Sequence, residues 1–309
     1  MRDTATARNF DVSPIDASFG AAIHGVDLSK NMGNPSLINA LIDQLHEHRL
    51  IVVKNQTLTL AQYSAFGKIW GNPIIHPLAY TRPESITHGF PEIVFLQNTG
   101  EAARDEKHRL SAVFWHTDHT SETDPSSKTM LYCIKAPAQG GQTQFADMVG
   151  AYNALPEKTR TRIDKLIAIH EYGAGAREAG EYDPRAMLSE EDKKRYSPTR
   201  HPLVLRHPYF NGRKALFAVA GTPVGIEGMP QDEAEALLKE LKTHALQPDF
   251  RYDHKYVPGD LVVWDTLATL HSASALPYAD KEENIRLMWR ISCRGAPLGA
   301  HQPAQNVTA

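Results

Sequence analysis

Several features that mark common protein classes are scarce or missing in this chain. Its 309 residues include only two cysteines, Cys133 and Cys293, far apart and without CxxC spacing, which excludes a disulfide scaffold and a thiolate zinc site. No stretch approaches the roughly eighteen apolar residues of a membrane-spanning helix. The N-terminal sequence MRDTATARNFDVSPIDASFG also lacks the apolar core of a signal peptide. Charge is balanced, 33 Lys+Arg against 36 Asp+Glu for a formal net charge of -3. With no run of five like charges, there is neither a basic field for a nucleic-acid backbone nor a charged tail. No period of about 20–50 residues repeats, which argues against a solenoid. The expectation is a cytoplasmic protein with a small-molecule substrate and neither nucleic-acid nor membrane partners.

The surplus is histidine, fifteen residues, and the question is which of them are ligands. Hydrophobic residues make up 41% of the chain, enough to bury the core of one large domain. Periodicity predicts a helix over 35–48, where Leu37, Ile38, Leu41, Ile42 and Leu45 share a face, Asn34 caps and Pro35 opens the first turn. A short buried strand over 50–54 and a second helix from Thr59 to Trp70 follow. Strand-like runs rich in β-branched and aromatic residues recur at 93–97, 129–134, 203–206, 214–219, 261–264 and 285–293. Helical patterns cover 147–168 and 230–243. Three stretches, 71–92, 99–114 and 173–200, lack periodicity and are expected as active-site loops rather than linkers. Strands along the whole length without regular βαβ alternation predict a mainly β fold with flanking helices, an antiparallel sandwich or jelly roll.

The first chemical candidate is Trp115-His116-Thr117-Asp118-His119. On an extended strand, residues two apart project from one face, so His116 and Asp118 can converge on one point. Alone this is weak, because about one His-x-Asp is expected by chance in such a chain and a surface pair on a strand is the better explanation of it. The second half lies in GDLVVWDTLATLH over 259–271, where a turn feeds a buried strand and then His271. One distant histidine added to a local His-x-Asp is the composition of the 2-His-1-carboxylate triad, which holds Fe(II) and leaves coordination positions open. Arg286 and Arg290 stand four apart in the run IRLMWRISC, on one face of a strand among apolar neighbours. Guanidinium groups buried there demand carboxylate partners. Protein salt bridges satisfy that demand, and so does a dicarboxylate cosubstrate gripped bidentately.

With WHTD at 115–118, GGQTQFADM at 140–148, HPLVLRHPYFNGRKALF at 201–217, WDTLATLH at 264–271 and RLMWR at 286–290, the sequence resembles the TauD/TfdA (taurine dioxygenase-like) family of Fe(II)- and 2-oxoglutarate-dependent dioxygenases. The likeness runs from about residue 10 to 295, and the five blocks stand in the family's order. The resemblance implies a single domain over 1–309 with a double-stranded β-helix (jelly roll) core, followed by a polar tail over 296–309. It implies iron ligands His116, Asp118 and His271, and 2-oxoglutarate contacts from Thr143, Trp264 and Arg286. It points to His76 and Arg290 as substrate contacts, Arg290 matching a position that serves either substrate or 2-oxoglutarate; Tyr80, one place beyond the family's tyrosine position, Phe114 and His119, which flanks the triad, are further substrate-site candidates.

The implied activity is hydroxylation or a kindred oxidation of a small organic substrate by O2 and 2-oxoglutarate, with release of succinate and CO2. An anionic group on the substrate is expected. Ala79 and Ala112 replace polar residues of taurine-type members, so a larger or less polar substrate than taurine is expected. Asp118 occupies the position that related halogenases leave open for chloride, which favours hydroxylation. The family is commonly dimeric or tetrameric, so a homo-oligomer is expected. Competing readings are a metal-dependent hydrolase or lyase on the same three ligands, a desaturase- or cyclase-type oxidation, and a non-catalytic jelly-roll binding module.

Overall fold

In the computed structural model the described residues are 10–75, 86–87, 89–110, 112–174 and 196–298. The strands in chain order are β1 (Asp11–Pro14), β2 (Ala21–His24), β3 (Leu50–Val53), β4 (Asn72–Pro73), β5 (Ile86–Thr87), β6 (Phe90–Gln97), β7 (Lys128–Lys135), β8 (Thr143–Asp147) and β9 (Ile167–His170). They continue with β10 (Thr199–Pro202), β11 (Val204–Arg206), β12 (Lys214–Leu216), β13 (Pro223–Ile226), β14 (Arg251–His254), β15 (Leu261–Asp265), β16 (Thr269–Ala273) and β17 (Leu287–Arg294). Helices are α1 (Leu28–Asn31), α2 (Pro35–His48), α3 (Leu60–Ile69), α4 (Glu106–Leu110), α5 (Met148–Ala154), α6 (Glu157–Ile163) and α7 (Gln231–Ala245). None of them is long and apolar enough to cross a membrane.

The large sheet runs β1-β2-β3-β15-β7-β17-β6-β5, with β4 added on β17. Every pairing in it is antiparallel except β2 with β3. Its centre, LVVWD of β15, is buried on both faces, which is why that run is continuously apolar rather than alternating. Leu261 and Val263 point into a core shared with α2 and α3. Val262 and Trp264 point the other way, into a core with Leu131, Met288 and Phe145. Phe145 belongs to a separate three-stranded antiparallel sheet, β14-β8-β16, so this second core lies between two sheets. The mixed architecture of sheets with flanking helices agrees with the expected class.

Local chemistry explains the helix ends. Asn34 accepts hydrogen bonds from the Ser36 and Leu37 amides at the start of α2, and Arg49 closes it in the left-handed region at φ 65. Thr59 and Gln62 form a reciprocal capping box on α3. The continuous helix expected over 147–168 is a correction. The helix ends at Ala154, Leu155 is extended, Pro156 starts α6, and 167–170 is strand β9. A proline both disfavours helical geometry in the residue before it and has no amide to give to the helix. The strand expected over 214–219 is also shorter, ending at Leu216, and Ala218 lies in the left-handed region at φ 48.

Candidate metal centre

His271 sits in the middle of β16, in register with Phe145 of β8. The His116 and His271 backbones form an isolated antiparallel bridge in which each amide donates to the other's carbonyl at 2.9 Å. Asp118 lies in the turn that follows. The extended strand expected to carry His116 and Asp118 together is therefore replaced by a single bridge and a turn, and this tertiary bridge, rather than strand alternation, aims both side chains at His271. Gly221 closes the wall behind them. A Cβ at that position would stand 2.7 Å from the His116 Cβ and 2.9 Å from the Trp115 carbonyl oxygen, and Gly221 has φ +90, so a side chain there collides with the chain at Trp115 and His116.

The ligand atoms of His116, Asp118 and His271 all lie within 4.8 Å of one another, and this is the one such group among the described residues. His116 Nε2 is 3.7 Å from Asp118 Oδ1, and His271 Nε2 is 3.7 Å from Asp118 Oδ2. These separations are too long for hydrogen bonds and are of the size spanned by two bonds of about 2.1 Å to a shared ion. His116 Nδ1 donates to the Phe114 carbonyl at 2.8 Å, which leaves Nε2 with its lone pair facing the gap. Burial lowers the pKa of His116, and burial together with His116 brings that of His271 down to about 3, so both imidazoles are neutral donors. Burial alone would raise the Asp118 carboxyl, but Arg290, His271 and His116 hold it well below the usual range. Two neutral imidazoles and one carboxylate fit a divalent transition metal.

Asp118 is gripped from two sides. Arg290 Nη2 meets Oδ1 at 2.9 Å, and the Thr129 hydroxyl donates to Oδ2 at 2.8 Å. Thr129 Oγ1 in turn is 3.0 Å from Ser292 Oγ and accepts from Thr266 at 3.3 Å. This buried hydroxyl chain was not foreseen. Its members come from β7, β17 and the turn after β15, and only strand register reveals that they meet.

The other expected residues fall into three groups. Thr143 begins β8 and is buried, while Arg286 immediately precedes β17 and donates from Nε to the Gly141 carbonyl at 3.1 Å. No acidic side chain pairs with Arg286 among the described residues. Trp264 is buried between the sheets with its ring 5.0 Å from that of His271. Phe114 has its ring 5.0 Å from that of His116. His119, in the left-handed region at φ 61, directs Nδ1 to Glu122 at 3.0 Å, and Glu122 is held by Arg294 at 2.6 Å. That network ties down the turn beside Asp118. His76 and Tyr80 lie outside the described residues.

The chain matches the Taurine catabolism dioxygenase TauD, TfdA family over residues 11–292. It is 30% identical over 269 residues to an alpha-ketoglutarate-dependent 2,4-dichlorophenoxyacetate dioxygenase of Cupriavidus pinatubonensis, covering 84% of this chain and 90% of that protein. It is also 30% identical over 307 residues to an alpha-ketoglutarate-dependent sulfate ester dioxygenase of Pseudomonas putida, covering 95% of this chain and 92% of that one. In three dimensions it resembles the crystal structure of AAD-2 in complex with Mn(II) and N-oxalylglycine, with a TM-score of 0.73 at 25% identity, over 93% of this chain and 97% of that chain.

Proposed function

The chain belongs to the TauD/TfdA family of alpha-ketoglutarate-dependent dioxygenases, and from that premise we propose that it uses Fe(II), held by His116, Asp118 and His271, to oxidise a small organic anion. The observation that carries the ligand assignment is the open spacing of these three groups, two buried and His116 half-buried, with each histidine nitrogen beyond hydrogen-bond distance of the carboxylate. Iron and 2-oxoglutarate, when bound, supply the oxygen-activating chemistry that yields succinate and CO2.

The protein's own part is to bind, orient and exclude water. His116 and His271 stay neutral so that their lone pairs are available, and Arg290 and Thr129 hold the Asp118 carboxylate ionised and fixed. Arg286, half-buried and without a carboxylate partner among the described residues, receives the distal carboxylate of 2-oxoglutarate together with the Thr143 hydroxyl. Trp264 walls the pocket beside His271. Phe114, Arg290 and His119 border the substrate; His76 is given the same role on the resemblance, and Tyr80 on its place one residue beyond the family's tyrosine position. We read the two facing sheets as a double-stranded β-helix and residues 10–295 as one domain.

An anionic substrate is favoured because relatives act on 2,4-dichlorophenoxyacetate and on sulfate esters, both negatively charged. The Arg290 guanidinium also has donors beyond the one directed at Asp118. The test has two stages. Anaerobic addition of 2-oxoglutarate to the Fe(II)-loaded protein should produce a visible charge-transfer band. A panel of aryloxy acids, sulfate esters, sulfonates, phosphonates and simple carboxylates should then contain compounds that stimulate O2-dependent succinate release. Absence of the band would overturn the reading.

A further inference from the structure

Away from the three metal-facing atoms, the neighbourhood of Arg286 contains a residue that the family motifs do not mention. Tyr256 lies on the loop between β14 and β15, and its hydroxyl donates to Thr143 Oγ1 at 2.9 Å. The Arg286 guanidinium carbon lies over the Tyr256 ring, 5.8 Å from its centroid. The ring is braced edge-on by His254, at 4.6 Å and 90°, and His254 is fixed by Asp260 at 3.2 Å. Burial pushes the phenol well above its ordinary pKa, so it remains a donor at every working pH.

A threonine hydroxyl carries one proton and accepts through its lone pairs. With a phenol donating to the oxygen, the threonine proton must point elsewhere, and the half-buried Arg286 guanidinium lies over the same phenol ring. We infer that Tyr256 is a positioning residue of the cosubstrate pocket: by donating to Thr143 it sets that hydroxyl as a donor toward the distal carboxylate of the 2-oxo acid, while its ring covers a face of Arg286. This rests on the reading that Thr143 and Arg286 receive that carboxylate. Without the phenol, the threonine rotor can turn its proton away, and the anion loses an oriented donor.

Calorimetric titration of the Mn(II)-loaded protein with 2-oxoglutarate and with pyruvate tests this without turnover, since pyruvate offers the same keto-acid end and no distal carboxylate. Tyr256→Phe should weaken 2-oxoglutarate about five- to tenfold, the loss expected for one neutral hydrogen bond, and leave pyruvate unchanged. In a Thr143→Val background the same substitution should add nothing, because the proton it orients is gone. Equal weakening of both ligands, no weakening of 2-oxoglutarate, or independent multiplication of the two substitutions would overturn the role. Arg286→Ala separates the two levels of inference. If it leaves 2-oxoglutarate affinity intact, the pocket reading itself fails; if it weakens binding while Tyr256→Phe does not, only the tyrosine's role falls.

Discussion

Two buried constellations in this protein have the same composition, two histidines and one aspartate, and opposite characters. In one, His207 Nε2 sits 2.7 Å from Asp265 Oδ2, with the His46 ring 6.0 Å from that of His207. Asp265 Oδ1 accepts from the Leu267 amide, and the Asp265 carbonyl accepts from Thr269. Lys128, fully buried, stands 4.6 Å from the Tyr209 ring in the same region. Here histidine and carboxylate are in direct hydrogen-bond contact, and the pair is closed. In the other, His116, Asp118 and His271 keep their nitrogens 3.7 Å from the carboxylate oxygens, and the set is open. A closed set contributes to the fold, whereas an open set of desolvated donors is held apart at a cost in stability that a cation relieves. Residue type alone does not separate these two cases; the gap between the atoms does.

The largest way to break the contrast is Asp118→Ala, which should abolish 2-oxoglutarate-dependent succinate release and leave Arg290 without its partner; retained turnover would remove Asp118 from the metal site. Next, Asp265→Ala should lower stability by about 3–5 kcal/mol, because it strands His207 and Lys128 in the interior. Its folded fraction should still bind one Mn(II), and loss of metal binding at a temperature where far-ultraviolet dichroism is native would erase the distinction between the sets. Arg286→Ala tests a further, half-buried charge on the open side: the apparent 2-oxoglutarate affinity should fall about 100-fold, equivalent to about 3 kcal/mol, with little change in melting temperature.

The smallest effect concerns pH. Burial lowers His46 to about 4 and, outside both sets, His170 to about 3, from an ordinary 6.5. Between those values the unfolded chain takes up protons that the folded chain refuses. Stability is thus full above about pH 6.5 and declines as pH falls toward 4. Thermal melts should show this decline, and His170→Gln should flatten it.

Much of the open set is legible in the sequence. His116 and Asp118 share a short motif, His271 ends a buried strand, and Arg286 is a cation in an apolar run. The expected geometry was less accurate, because strand alternation is local whereas the bridge that aims His116 depends on a partner 155 residues away. The same reason hid Thr129, Ser292 and Tyr256. Each is an ordinary polar residue whose neighbour across the sheet or loop is set by register, and no one-dimensional pattern records register. Pro156 is the converse case. Its effect is local and visible in the sequence, but the amphipathic pattern on either side masked it until the helix proved to be split.

The paired hydrogen bonds between the His116 and His271 backbones have a kinetic consequence. Neither histidine backbone can drift from the other without breaking both bonds, so a chelator that strips a metal loaded onto the protein should leave the cage standing. Reloading would then proceed at the rate at which the ion sheds water, with no refolding phase, and the two amide protons would exchange slowly with solvent deuterium whether or not a metal is present.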